Sequence, residues 1–298
     1  MPKFRLFALA LLVLAAAHAP TKAGTAVKPI WFFRAESADG RTTFFYPSFH
    51  LRDPRVPRPP MTMLDGIGRL VLEADIAQLK AHPETIRSYL IAPRPRDLSA
   101  LFTPAQIMQI RARASCNGLG GAVEQLRLSF IATLLALPCP EGQAETRSYE
   151  DTVEVAAQQR GLKITGIETC EEEFAALAAL PERLFIDQIK EMTLHPDRAD
   201  KMIDRMVDLY GKGDLAGLYA LMLSDMPKRG TDRKLFIDKV LLERNRRMVE
   251  RLGDVLAEGN ALVVIGALHF PGDGGIVDLL QQRGFRITRI DGRDGALR

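Results

Sequence analysis

Hydrophobic and polar positions divide the chain into a strand-rich start, a helical middle and a strand-rich end. Residues 31–34 (WFFR) and 42–46 (TTFFY) predict two strands around the turn signal Ala38-Asp39-Gly40. Pro47-Ser48-Phe49-His50 reads as a further strand ending in a histidine, before a proline-rich surface loop at 51–60 (LRDPRVPRPP). Residues 69–73 (RLVLE) predict a short strand closing on Glu73, and 163–168 (KITGIE) another closing on Glu168. Residues 261–268 carry the β-branched run Val263-Val264-Ile265 of a buried central strand, and 285–290 (FRITRI) predict the last strand. Between Leu268 and the helix predicted at 276–283, Pro271, Gly272, Asp273, Gly274 and Gly275 predict a βα turn, with His269 at its start.

The middle has helical spacing. Thr103-Pro104 predicts a capped helix start, residues 123–137 a buried helix, and residues 151–160 a helix stopped by Gly161. Residues 76–160 therefore read as a large helical insertion. A long amphipathic helix is expected at 171–192, then helices at 197–210 and 214–223, and a longer charged helix at 232–256. Strands at both ends, with helices between, require the two ends of the chain to meet. The expectation is an α/β fold: a mixed central sheet of N- and C-terminal strands with a helical insertion, in a single domain over 24–298.

Residues 1–23 change the reading of charge. Lys3 and Arg5 precede an apolar run at 6–17, too short to span a bilayer comfortably, and small residues follow up to Ala23. This predicts a secretory signal peptide and a periplasmic or secreted protein that meets the membrane only through that signal. Its removal takes away Lys3, Arg5 and Lys22 and no acid, so the formal charge falls from +3 to zero. No basic run with interleaved aromatics remains, which argues against nucleic-acid binding. Export would permit disulfides. Cys116 and Cys139 flank a predicted helical hairpin and form the favoured pair, with three buried thiols as the alternative.

Several chemistries are excluded by missing motifs: there is no HExxH, GxSxG or GxxxxGK[ST]. What remains is positional, because four predicted strands end at or near His50, Glu73, Glu168 and His269. Imidazole and carboxylate are the ligand set of a divalent metal with an open site, and such a site would activate water for attack on a carbonyl. Taken singly, each carboxylate is also an ordinary strand-end charge. His82 and His195, in AHPE and LHPD, read as surface residues. Arg244 and Asn245, in LLERNRRMVERL, read locally as part of a solvated face with Glu243 and Arg247 paired at i,i+4.

The order of these elements resembles the TraB/GumN family, which includes the Tiki membrane-tethered Wnt proteases. The resemblance runs over about 31–290. Its first Gly-x-x-His motif is matched by Pro47-Ser48-Phe49-His50, and its apolar segment ending in an acid by Leu70-Val71-Leu72-Glu73-Ala74-Asp75. Gly161-Leu162-Lys163-Ile164 and Gly166-Ile167-Glu168-Thr169 match its mid-chain segment; Tyr210, Gly213 and Asp214 match its Tyr…Gly-Asp element. Glu243-Arg244-Asn245 and a second Gly-x-x-His, Gly266-Ala267-Leu268-His269, follow, then Pro-Gly, Gly, Leu-Leu and Arg-Gly-Phe elements. The resemblance implies a metal-dependent hydrolase-like site using manganese, cobalt or zinc, with His50, Glu73 and His269 as metal ligands. Glu168 would be a further ligand or general base, and Arg244 with Asn245 would orient substrate or an oxyanion. The implied substrate is a peptide or an envelope component. The alternative is a non-catalytic envelope- or peptide-binding protein on the same scaffold. One departure stands out: Pro47 replaces the first glycine. Because proline removes a ladder donor, it predicts an earlier strand end and a reshaped rim near His50.

Overall fold

The computed structural model describes residues 31–50, 53, 55–74, 79, 81–136, 149–226 and 229–291. The predicted signal segment at 1–23, Asp75 and Cys139 lie outside them. Six strands form one mixed sheet: β1 (Trp31–Glu36), β2 (Thr42–Ser48), β3 (Arg69–Ala74), β4 (Lys163–Glu168), β5 (Ala261–Gly266) and β6 (Arg286–Asp291), in the order β4-β3-β5-β2-β1-β6. β4, β3, β5 and β2 run parallel, while β1 pairs antiparallel with both β2 and β6. The two ends of the chain thus meet in one sheet, with β5 from the C-terminal part seated between β2 and β3.

Among the described residues there are twelve α-helices: α1 (Arg87–Leu90), α2 (Pro104–Cys116), α3 (Leu128–Ala136), α4 (Tyr149–Gln159), α5 (Cys170–Ala178), α6 (Glu182–Leu194), α7 (Arg198–Gly211), α8 (Leu215–Asp225), α9 (Gly230–Phe236), α10 (Glu243–Arg251), α11 (Gly253–Glu258) and α12 (Ile276–Gln282). A π-helical segment, Ile237–Leu242, joins α9 to α10. No helix among the described residues is long and apolar enough to cross a membrane.

Every residue of β5 is buried, as expected of a parallel strand covered on both faces. The alternation of its side chains decides which helices do the covering. Val263 and Ile265 pack with Phe45 and Val71 against Met248, Val249 and Leu252 of the α10 side and Ile276 and Leu280 of α12. Leu262 and Val264 pack with Tyr46, Leu70 and Leu72 against Val153, Ala156 and Ala157 of α4. A third core, centred on Ile110, Phe130, Ile131, Phe185 and Ile189, holds the helical lobe together.

Several boundaries differ from the sequence expectation, each for a local reason. The helix expected over 171–192 is two helices, α5 and α6, parted at Leu180-Pro181, because a proline cannot donate to the preceding turn. The helix expected over 232–256 breaks at Leu252, after a run that includes the π segment. The span expected at 123–137 begins as a 3₁₀ turn and becomes helical only at α3. α4 lies directly on the sheet rather than in the separate helical lobe. Cys116 is disulfide-bonded, and Cys170 is a buried thiol at the start of α5.

Candidate active site

Strand register builds the site. Ser48 pairs with Gly266, Leu72 with Val264, and Ala74 with Glu168. These pairings bring the C-terminal ends of β2, β5, β3 and β4 level on one edge, where open α/β sheets bind ligands. β5 ends at Gly266, two residues earlier than expected, because residues Ala267–His269 wind into a 3₁₀ turn. That turn carries His269 back over the strand end.

Glu73 is the centre. Its Oε1 accepts a 2.6 Å hydrogen bond from Arg244 Nη2, and its Oε2 a 2.6 Å bond from the Gly266 amide. His269 Nε2 lies 3.4 Å from Oε1, and His50 Nε2 lies 4.0 Å from Oε2. Burial pushes the Glu73 carboxyl up, but the His269 ring, the Arg244 guanidinium and His50 outweigh it and hold it well below its ordinary value. Gly266 has to be a glycine here. A Cβ at that position would stand 2.7 Å from His50 Nε2 and 3.2 Å from Glu73 Oε2.

Each imidazole is backed at its other nitrogen. His269 Nδ1 lies 2.6 Å from Asn245 Oδ1, and Asn245 Nδ2 donates to Gly274 O at 2.9 Å and His269 O at 3.4 Å. His50 Nδ1 lies 2.9 Å from Glu150 Oε1 on α4. Burial pushes His50 down, but Glu150, with Glu73 and Glu173 beyond it, lifts it to about 9. Burial pushes Glu150 up, but the His50 ring and the Ser48 hydroxyl hold it near 2.

Glu168 is buried and salt-bridged to Arg244 Nε at 2.8 Å and Arg247 Nη2 at 3.3 Å. Arg247 thus pairs with Glu168 and not with Glu243, which pairs with Lys239 at 2.7 Å. Arg244 and Asn245 are buried rather than solvated. The signal for this was in the spacing: Leu241, Arg244, Asn245, Met248, Val249 and Leu252 share one helical face, and all six are buried. The π segment immediately before α10 sets the rotation that aims this face at the rim.

The run Glu171-Glu172-Glu173 is sorted by the turn of α5. Glu171 accepts from the Tyr89 hydroxyl at 3.2 Å, and Glu172 completes a capping box with Thr169 and binds Arg251. Glu173 points inward: its Oε2 is sealed from solvent with no hydrogen-bond partner. Burial raises the Glu173 carboxyl to about 7; the Glu73 and Glu168 charges add to this, against Arg244 and His50. Glu150 and Glu173 were both missed in the sequence, because a carboxylate in the first turn of a helix ordinarily faces water.

The first motif departs less in structure than in sequence. β2 runs through Pro47 to Ser48 instead of ending early. Pairing with β1 stops at Phe45, so the missing Pro47 amide costs no bond on that side. The Pro47 carbonyl accepts a 2.7 Å bond from the Tyr210 hydroxyl. Tyr210 thereby steadies the strand end two residues before Phe49 and three before His50. Gly213, at φ 67°, and Asp214, which caps α8 through the Gly217 amide at 2.8 Å, turn the chain after Tyr210. His82 and His195 are exposed, and each faces a glutamate that takes no part in this site.

The sequence model of the TraB/PrgY/gumN family matches residues 31–289, from β1 to within β6. The chain belongs to the TraB/PrgY/gumN family. No curated protein and no solved structure matches it. The ordered motifs of this TraB/PrgY/gumN chain therefore fall into two groups. Those ending in His50, Glu73, Glu168, Arg244, Asn245 and His269 gather on one sheet edge, and those at Tyr210, Gly213 and Asp214 support that edge from behind.

The donor chemistry of His50, Glu73 and His269 suits a divalent ion: both Nε2 atoms turn toward one carboxylate, and both Nδ1 atoms are anchored outward, the arrangement that orients metal-binding histidines. As they stand, no three His, Cys, Asp or Glu side chains among the described residues form a group that could hold a metal ion. Both oxygens of Glu73 are engaged by hydrogen bonds from Arg244 and the Gly266 amide.

Proposed function

We propose that this protein is an exported, divalent-metal-dependent hydrolase acting on a carbonyl bond of a peptide or envelope-derived substrate. The observation that carries the proposal is the approach of two imidazole Nε2 atoms to the two oxygens of one buried carboxylate. The export part rests on the signal-like residues 1–23. His50, Glu73 and His269 would hold the ion, and manganese, cobalt or zinc bound there would supply Lewis acidity at a substrate carbonyl.

The remaining residues divide the work. Arg244 lies between Glu73 and Glu168 and fixes the direction of both carboxylates. Glu168, held by two arginines, serves to hold Arg244 in place. Glu173, raised to about 7 by burial and the neighbouring Glu73 and Glu168 charges, would take a proton from water and return it to a leaving group. Asn245 keeps His269 and the glycine turn in register.

One observation favours the second reading, a binding protein without catalysis: the engagement of Glu73 by Arg244. Thermal unfolding with and without Mn²⁺, Co²⁺ or Zn²⁺ separates the two. An ion at about a hundred times its Kd stabilises the folded state by about 2.7 kcal/mol. The expected result is a rise in Tm for the native protein that His50→Ala and His269→Ala each abolish. A native protein that ignores all three ions would leave only the binding reading.

A further inference from the structure

Glu150 has no assigned role in the reading above, yet its carboxylate faces Nδ1 of His50. It is 7% exposed, and its Oε1 lies 2.9 Å from His50 Nδ1. A buried carboxylate is costly unless a donor faces it, and here that donor is His50 Nδ1 at 2.9 Å. The His50 side chain is itself 37% exposed, so packing alone does not hold its ring. Gly266 supplies the complementary constraint on the opposite side. Its missing Cβ clears space where His50 Nε2 sits, and that clearance serves a purpose only if Nε2, not Nδ1, faces the rim. His269 shows the same layout, with Asn245 behind Nδ1 and Glu73 before Nε2.

We propose that Glu150 is the positioning residue of His50: it holds Nδ1 on the α4 side and so presents a bare Nε2 to the strand-end rim beside Glu73. The inference assigns to α4, which sequence reading placed in a helical insertion, a direct part in the site. Glu150 does not touch substrate in this arrangement. It acts through the ring, by fixing its orientation and keeping the neutral proton on Nδ1. Its metal consequence rests on the function proposed above, but the ring orientation does not.

The experiment therefore reads both. In metal-free protein at about pH 10, where the imidazole is neutral, ¹⁵N NMR of labelled histidine reports which nitrogen carries the proton. Native protein is expected to show His50 protonated at Nδ1. Glu150→Ala should move that proton to Nε2, and Glu150→Asp or Glu150→Gln, which keep an acceptor oxygen, should restore the native signature at least in part. In parallel, Co²⁺ titration followed by visible absorption should show affinity reduced about 10- to 100-fold in Glu150→Ala. If native protein binds no Co²⁺ but the proton moves as expected, the hydrolase reading fails and the positioning role stands. A His50 signature unchanged in a folded Glu150→Ala protein overturns the role, as does an Nε2-protonated native ring. Should the alanine variant not fold, Glu150→Gln and Glu150→Asp are compared with native protein, and a signature lost in both overturns the role as well.

Discussion

His269 and His50 reach Glu73 from neighbouring strand ends, and the walls behind them are made of different material. Behind His269 stands Asn245, a neutral amide that meets the ring, the His269 carbonyl and the Gly274 carbonyl. That half is buried, and the partner behind its ring is uncharged. Behind His50 stands Glu150, a charge, and the ring keeps a third of its side chain open to solvent. One half is a fixed wall; the other is a mouth whose strength depends on protonation. The same Gly-x-x-His spacing thus supports two mechanical roles, because spacing from a strand end sets where a side chain starts but not what lies behind it.

The sharpest way to break this comparison is to remove what both halves share. Arg244→Met leaves Glu73 and Glu168 without their common buried partner, so a loss of about 3–5 kcal/mol is expected in denaturant unfolding. A loss below about 1 kcal/mol would mean that the two halves are not joined through Arg244. Next in size is Asn245→Ala, which strips partners from the His269 wall. About 2–3 kcal/mol is expected in denaturant unfolding.

The His50 half should respond to pH instead. Its folded value, about 9, lies above the ordinary 6.5, so the stabilisation is complete below about 6.5 and is lost as pH rises through about 9. Glu173, raised to about 7 from 4.5, adds a loss of the same sign between those values. Glu150, lowered to about 2, gives the opposite limb: its stabilisation is complete above 4.5 and is lost as pH falls toward 2. Metal-free protein should therefore have its highest Tm on the acid side of neutral. His50→Gln should flatten the limb between about 6.5 and 9, and an unaltered limb would locate the titrating group elsewhere. The smallest effect is expected for Tyr210→Phe, which deletes one hydrogen bond to the Pro47 carbonyl and should cost about 1 kcal/mol. If it also weakens the Tm rise with Mn²⁺ more than it weakens the fold, the mouth depends on that strand end as strongly as on Glu150.

Much of the site was legible in the chain. The β-branched run at Val263–Ile265 and the short apolar segments before Glu73 and Glu168 marked strand ends, and the glycine turn marked the position of His269. Arg244 and Asn245 were half legible. Their charge suggested solvent, while their spacing with Met248, Val249 and Leu252 placed them on the buried face. Glu150 and Glu173 were not legible, because nothing local distinguishes a first-turn glutamate that faces water from one that faces a histidine.

The sequence by itself determined which residues end strands, where helices are capped and stopped, and that the two ends of the chain must share a sheet. These follow from local periodicity and from what proline, glycine and capping side chains permit. Only the tertiary structure decided the order β4-β3-β5-β2, the level register of the strand ends, and the pairing of Glu150 with His50 and of Arg244 with two carboxylates. Those depend on contacts between residues far apart in the chain, 76 and 171 positions for the two Arg244 pairs alone, and the electrostatics of a buried charge are set by its spatial neighbours rather than by its neighbours along the chain.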